Sequence, residues 1–423
     1  MKKLKLILIL IAGLSFELQA QELDVNLQIR PRFEYRNGYK QLLQEGQKGT
    51  SQISQRSRLN FNYKQEDLIV KLTLQNTRTW GDVTPTAIAD KNGVAVFEAW
   101  AQYNFTEKWS ARMGRQVLSY DNQRILGEQD WAQQAESHDA LTVSFHTETQ
   151  KLDFGGAYNS TAENIIQTPY TVSNYKTLQY AWYHNQFNEH LGASFLVLNT
   201  GYEYAPNPNP DNKLLVDYKQ TFGPYLAYKT SKIDTNFWVY GQTGKSNDLQ
   251  VSAWNAAANF GYNITEAFKL GLGYEFLSGK STNDGSTVIK SFNPIFGTNH
   301  GFNGYMDYFY VGNHLNSVGL QDAFLKLNYN TNKWQFALIP HVFLAAADVV
   351  NVPLNEKMDS YLGTEIDATF GYNFKKDITV MGGYSQMFGS KTLEFIKTGE
   401  ANHTNNWAWL MISVNPKIFS WKK

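Results

Sequence analysis

The chain has 423 residues, with 38 Lys+Arg balanced by 38 Asp+Glu, so charge gives no reason to expect a nucleic-acid partner. Cysteine is absent, which excludes disulfides, thiolate metal sites and a lipoprotein anchor. Aromatics are abundant, with 25 Tyr, 26 Phe and 11 Trp.

The N-terminus reads as a secretory signal. Lys2, Lys3 and Lys5 precede the apolar run Leu6 to Leu14, and "LQA" offers cleavage after Ala20. Residues 1–20 are therefore assigned as signal peptide and 21–423 as one domain with a net charge of about −2. No later segment has the roughly 18 consecutive apolar residues that a spanning helix needs, which leaves a β-barrel open.

From residue 23 onward the dominant pattern is strict alternation. Leu23, Val25, Leu27 and Ile29 oppose Asp24, Asn26 and Gln28; Leu59, Phe61 and Tyr63 oppose Arg56, Arg58, Asn60 and Asn62. About 18 such strands follow one another, from 23–36 and 52–64 to 377–388 and 404–414. Their connections alternate in length. Tight turns such as "KQED", "TEK" and "NTNK" follow even-numbered strands. Long loops, among them 37–51, 79–93, 119–137, 161–173, 280–317 and 389–403, follow odd-numbered ones, with 245–248 the one short exception. The stretch 205–212 reads as an exposed loop tip. Segregation of loop length by strand parity belongs to an outer-membrane barrel with periplasmic short turns, not to a sandwich. Tyr63, Tyr103, Phe105, Trp109, Phe187, Tyr262, Phe268, Tyr329, Trp334, Tyr372 and Phe374 sit beside the short turns, where an aromatic girdle would lie. The fold class is all-β: a transmembrane antiparallel barrel in the outer membrane of a Gram-negative bacterium.

An outward charge at the bilayer midplane costs about 2–4 kcal/mol, so strand charges should face inward. Parity places Arg30, Arg32, Glu34 and Arg36 inward on strand one, and Arg56 and Arg58 on strand two. Glu98 and Gln102 are inward on strand four, opposing Phe97, Ala99 and Tyr103, and Arg112 is inward on strand five. Arg78 and Arg115 have the wrong parity; for Arg115, either the strand slips at Gly114 or the residue lies at the rim. Arg124, with Asp121, Glu128 and Asp130, falls in the following loop. Arg30, Arg32, Arg56, Arg58, Arg112, Arg115, Arg124 and Glu98 are the candidate pore-lining, anion-binding set, because a guanidinium offers fixed charge and a fork suited to carboxylates. The alternative is a solvated lumen in which Glu34, Glu98, Glu365 and Asp367 pair with the arginines and only stiffen the barrel.

"VFEAWAQYNF" and "WSARMGRQVLSYDNQRILGEQDWAQQAESHDAL" resemble the alginate-export family of outer-membrane barrels. "FNPIFGTNHGFNGYMDYFYVG" (292–312) resembles a segment of its Bacteroidetes branch. The resemblance implies an 18-stranded barrel with an arginine-rich constriction that, in exporting members, passes a polyuronate outward; Arg112, Arg115 and Arg124 ride on the matched motif. This chain departs from the family in its mixed charge. The 280–317 loop, with Phe292, Phe296, Tyr305, Tyr308, Phe309 and Tyr310, either folds into the lumen as a constriction or packs on itself as an extracellular cap; the cap is preferred. The eight histidines show no metal spacing, and there is no nucleophile elbow or Walker loop, so no cofactor and no enzyme activity are expected. The expected function is an outer-membrane porin passing anionic or sugar-like solutes passively. A general diffusion porin or a non-conducting scaffold or adhesin is the alternative. Expected partners are outer-membrane lipid and lipopolysaccharide, anionic or carbohydrate solutes and the barrel-assembly machinery. Strand one begins so near the cleavage site that no plug domain is expected. "NPKIFSWKK" puts Phe419 and Trp421 near the end but finishes in two Lys instead of the usual terminal aromatic, which puts barrel assembly in question.

Overall fold

A computed structural model describes residues 21–172, 175–207 and 213–423. The signal segment and most of the 205–212 tip lie outside the described residues. The strands are β1 (Gln21–Asn37), β2 (Thr50–Gln65), β3 (Leu68–Thr79), β4 (Ala95–Asn104), β5 (Trp109–Gln116), β6 (His138–His146) and β7 (Gln150–Tyr158). Then come β8 (Thr177–Gln186), β9 (Leu191–Tyr204), β10 (Leu215–Lys229), β11 (Ile233–Ser246), β12 (Leu249–Asn263), β13 (Phe268–Leu277), β14 (Leu320–Asn330) and β15 (Trp334–Leu344). A small hairpin, β16 (Val350–Asn351) and β17 (Glu356–Lys357), decorates a loop. The wall resumes with β18 (Tyr361–Lys375), β19 (Ile378–Gly389), β20 (Asn405–Val414) and β21 (Lys417–Lys422), and one helix, α1 (Lys391–Lys397), lies in the loop before β20.

Each wall strand pairs antiparallel with its neighbours, and the sheet closes because β20 and β21 both pair with β1. β20 and β21 are two halves of one eighteenth strand, interrupted where Pro416 removes a backbone donor. Sequence reading ended this strand at 414. The continuation sets Phe419 opposite Val25 and Trp421 opposite Leu23. The unusual C-terminus therefore completes the wall.

The outer face is apolar, as alternation demands: Ile29, Phe33, Phe237, Leu272 and Leu338 are exposed there. At the short-turn end Tyr103, Phe105, Trp109, Phe187, Tyr262, Tyr329, Trp334 and Phe374 are exposed, and Trp334 packs at a tilt against Tyr372 across β15–β18, with ring centroids 4.4 Å apart. Inside, Arg30, Arg32, Glu34, Arg56, Arg58, Glu98, Asp322, Glu365 and Asp367 are buried. They are covered by the two longest loops, 117–137 and 278–319, which bury Leu126, Phe296, Met306 and Tyr308 within the barrel. The 278–319 segment is thus a lumenal loop and not the external cap expected from the sequence. Its apolar residues need a covered surface, and the lumen wall supplies one.

Candidate functional site

The β1–β2 register sets Arg30 directly opposite Arg56. Like charges across a strand pair repel, so this wall needs a counter-charge. Loop 117–137 brings it. Asp130 Oδ2 lies 2.9 Å from Arg30 Nη1 and Asp130 Oδ1 lies 2.7 Å from Arg56 Nη2, with Arg58 Nη1 at 3.8 Å. Glu128 stands 3.9 Å from Arg58. Arg30 also donates to the Asp130 carbonyl at 2.8 Å and to Gln133 Oε1 at 3.1–3.2 Å. Arg32 donates to the Trp131 carbonyl at 2.7 Å and lies 4.0 Å over its indole. The guanidiniums are buried while the Asp130 side chain is half-exposed. Arg58 Nη2 is buried without a partner.

Glu98 pairs with Lys71 at 2.5 Å and accepts from Trp100 Nε1 at 3.0 Å. Arg112 donates to Gln102 Oε1 at 2.9–3.1 Å and lies over Trp100. Phe97 does not oppose Glu98 as parity suggested. The β3–β4 register shifts between Thr73 and Leu74, a bulge that turns both Phe97 and Glu98 inward, and Arg58 stacks 3.8 Å over the Phe97 ring. Arg115 makes none of the contacts of the Arg30–Arg56–Arg58 wall. The β4–β5 register does not slip at Gly114, so Arg115 keeps the outward parity of Met113 and lies at the rim, paired with Asp139 at 2.9 Å.

Arg124 lies on the far side of the loop. It is 2 % exposed and pairs with Glu275 at 2.8 Å, while its Nη2 donates to Asn303 Oδ1 at 2.8 Å. It fastens loop 117–137 to β13 and to loop 278–319 at once. The two loops are also clasped backbone to backbone: Gly127 donates to Phe296 O at 2.9 Å, and Thr298 to Gln123 O at 2.8 Å. Glycine is required here, because a Cβ on Gly297 would sit 2.2 Å from Arg124 O. Loop 278–319 reaches the opposite wall, where Met306 N–H donates to Glu365 at 2.8 Å and Tyr305 N–H to Asp367 at 3.2 Å.

The clasped loops leave two cavities that share no lining residue. An outer one of about 1090 Å³ is lined by Arg32, Arg36, Tyr39, Arg78, Trp131 and His300 among others. An inner one of about 420 Å³, toward the short turns, is lined by Trp238, Lys269, Phe302, Phe324 and Lys326 among others. Within the outer cavity the Glu136 carboxyl is pushed up to about 7 by burial; elsewhere on the same loop Glu128 is raised by burial and by Asp130 beside it. Glu275, Asn303 and His300 were not singled out from the sequence; each is an ordinary strand or loop polar residue until the long loops are placed against the wall. Lys326 faces inward, as its strand parity implies.

A closed 18-strand barrel with an apolar exterior, an aromatic band at the short-turn end and a charged interior defines an outer-membrane β-barrel of the porin class. In sequence, residues 21–159 match the alginate export family, a span running from β1 through β7 and carrying the whole candidate arginine set. The match ends before segment 292–312. In structure the chain is similar to OccAB4 of Acinetobacter baumannii (TM-score 0.65, 11% identity, covering 96% of this chain and 99% of that one). It is also similar to the outer membrane protein OpdK of Pseudomonas aeruginosa (TM-score 0.63, 12% identity, 95% and 99% covered) and to OpdK with vanillate (TM-score 0.62, 12% identity, 95% and 99%). Comparison with curated proteins gives no match.

Proposed function

We propose that the chain is a passive outer-membrane channel for small anionic solutes, with carboxylates on a sugar or aromatic ring as the preferred class. The observation that carries this reading is the convergence of Arg30, Arg56 and Arg58 on one half-exposed carboxylate, Asp130, within the barrel. A wall that holds its own carboxylate with this geometry suits a solute's carboxylate equally. Vanillate, found with OpdK, is an aryl carboxylate, and alginate is a polyuronate; both belong to this class. The clasp of the two loops across the lumen favours small solutes over a polymer, which would have to part it. The apolar band would face lipid and lipopolysaccharide, and the barrel would reach the membrane through the assembly machinery.

The test is single-channel current of the mature protein in a planar bilayer under a salt gradient. Anion-preferring steps whose preference weakens in Arg56→Ala support the reading. Steps without charge preference indicate a general diffusion porin, the second reading, which the pairing of Arg30 and Arg56 with a resident acid favours. A folded barrel without current overturns both in favour of a scaffold.

A further inference from the structure

Below the clasp, the inward positions of β13 run Lys269, Gly271, Gly273 and Glu275, since alternate strand residues share a face. The two glycines leave the inner wall without side chains. The Phe324 ring covers Gly273, where an added Cβ would lie 2.1 Å from Phe324 Cζ, whereas at Gly271 no ring intervenes and the nearest side-chain atom is Lys326 Cβ, 3.3 Å from an added Cβ. Lys326 on β14 stands directly opposite Gly271, with Lys269 as its diagonal neighbour. Lys269 is matched by Asp234 at 2.6 Å. Lys326 has no ion pair and no hydrogen-bond partner among the described residues. This ammonium faces a cavity of about 420 Å³, roofed by Phe302 and Tyr305 of loop 278–319 and walled by Phe324. That volume falls in the range of small-molecule pockets, about 300–1,000 Å³.

An uncompensated cation beside ring faces and a bare stretch of wall is half of a binding site. We propose that the inner cavity is a second solute site, separate from the Arg30–Arg56–Arg58 wall, in which Lys326 takes the carboxylate of a six-membered-ring solute and Phe324 and Phe302 take the ring. The two cavities lie on opposite sides of the clasp, so a solute would be handed from the outer to the inner one. The inference rests on the channel reading only for how the solute arrives.

Benzoate titrated into the detergent-solubilised barrel by calorimetry tests the site without requiring current. Lys326→Gln is expected to weaken benzoate binding about tenfold, the loss of one charge-assisted hydrogen bond, while Lys326→Arg stays near wild type. Glucuronate in place of benzoate tells a sugar ring from an aromatic one, and acetate measures the ring's share. Gly271→Ala keeps the charge and fills the gap, placing its Cβ 3.3 Å from Lys326 Cβ; it is expected to weaken binding severalfold and carries the test if Lys326→Gln does not fold. Benzoate binding that is unchanged in Lys326→Gln, or in Gly271→Ala where that variant stands in, overturns the proposal. In the bilayer, benzoate added from the short-turn side should interrupt current in wild type and less in Lys326→Gln. A conducting barrel whose benzoate binding ignores Lys326 loses the site and keeps the channel. A barrel that binds benzoate through Lys326 but passes no current keeps the site and loses the channel.

Discussion

Asp130→Asn is the sharpest perturbation of the arginine wall. The amide keeps the shape of the carboxylate but removes the charge that sits 2.9 Å from Arg30 and 2.7 Å from Arg56. Because Asp130 is half-exposed, its field acts through water. On an ion passing at about 5 Å, a unit charge in water contributes about 0.8 kcal/mol, reduced to about 0.5 kcal/mol by screening in about 0.1 M salt. The effect has opposite sign on anion and cation, so removing it raises the anion-to-cation permeability ratio about fivefold. Reversal potentials under a salt gradient measure that ratio directly. The barrel's shift on heating in a gel confirms that the variant is folded. Arg30 and Arg56 would then oppose each other without a counter-ion, so loop 117–137 should also loosen and the step size rise. A folded Asp130→Asn barrel with an unchanged reversal potential, or one moved toward cations, would refute the idea that solute ions pass this wall.

Three further outcomes follow from the same geometry. Arg124→Ala leaves the buried Glu275 without its ion partner and Asn303 Oδ1 without its donor, a loss of about 3–5 kcal/mol, so denaturant midpoint should fall and amide exchange at 296–303 should rise. Glu136, raised from 4.5 to about 7 by burial, favours its neutral form in the folded loop. Its contribution to loop packing is therefore full below pH 4.5 and lost as the pH rises through about 7, where the new charge also opposes anions; anion current should fall across that range and be flat in Glu136→Gln. Deleting 417–423 removes the pairing partners of Glu22–Asn26, so it should abolish the heat-modifiable barrel, as judged by gel shift and trypsin resistance.

The wall was legible in the sequence and the lumen was not, for different physical reasons. Alternation has a period of two, and a slip of one residue would send Leu59 and Phe61 inward and Arg56 and Arg58 into lipid, so parity alone oriented these strands. The same logic failed at Phe97, because a bulge adds one residue to one strand and nothing in "VFEAW" announces it. It failed at the C-terminus because Pro416 cannot donate and so resembles a strand end; its carbonyl nevertheless accepts from Leu27 N–H at 3.0 Å, and β21 resumes the pairing. The arginines of β1 and β2 could be named from parity, but their counter-ion could not. Asp130 reaches them only because loop 117–137 turns inward, which depends on its clasp with a segment some 170 residues away.

That clasp bears on how the charged wall can be permeable at all. Arginines facing each other across β1–β2 without acids would hold a multivalent anion too tightly for it to leave, and a channel needs entry to be favourable and exit easy. Here three guanidiniums meet two loop carboxylates, Asp130 and Glu128, and the residual attraction is modest. Asp130 is tied to the wall by charge but to the rest of the protein by a loop with left-handed residues at Asp121, Gln123, Gln129 and Ala135. Such conformations cost energy in non-glycine residues and persist only where surrounding contacts impose them. An arriving carboxylate therefore competes with a tethered one of the same chemistry, and what it gains at Arg30 and Arg56 is the difference between two similar interactions. Under the channel reading, that small difference is what lets an arginine wall select anions without retaining them.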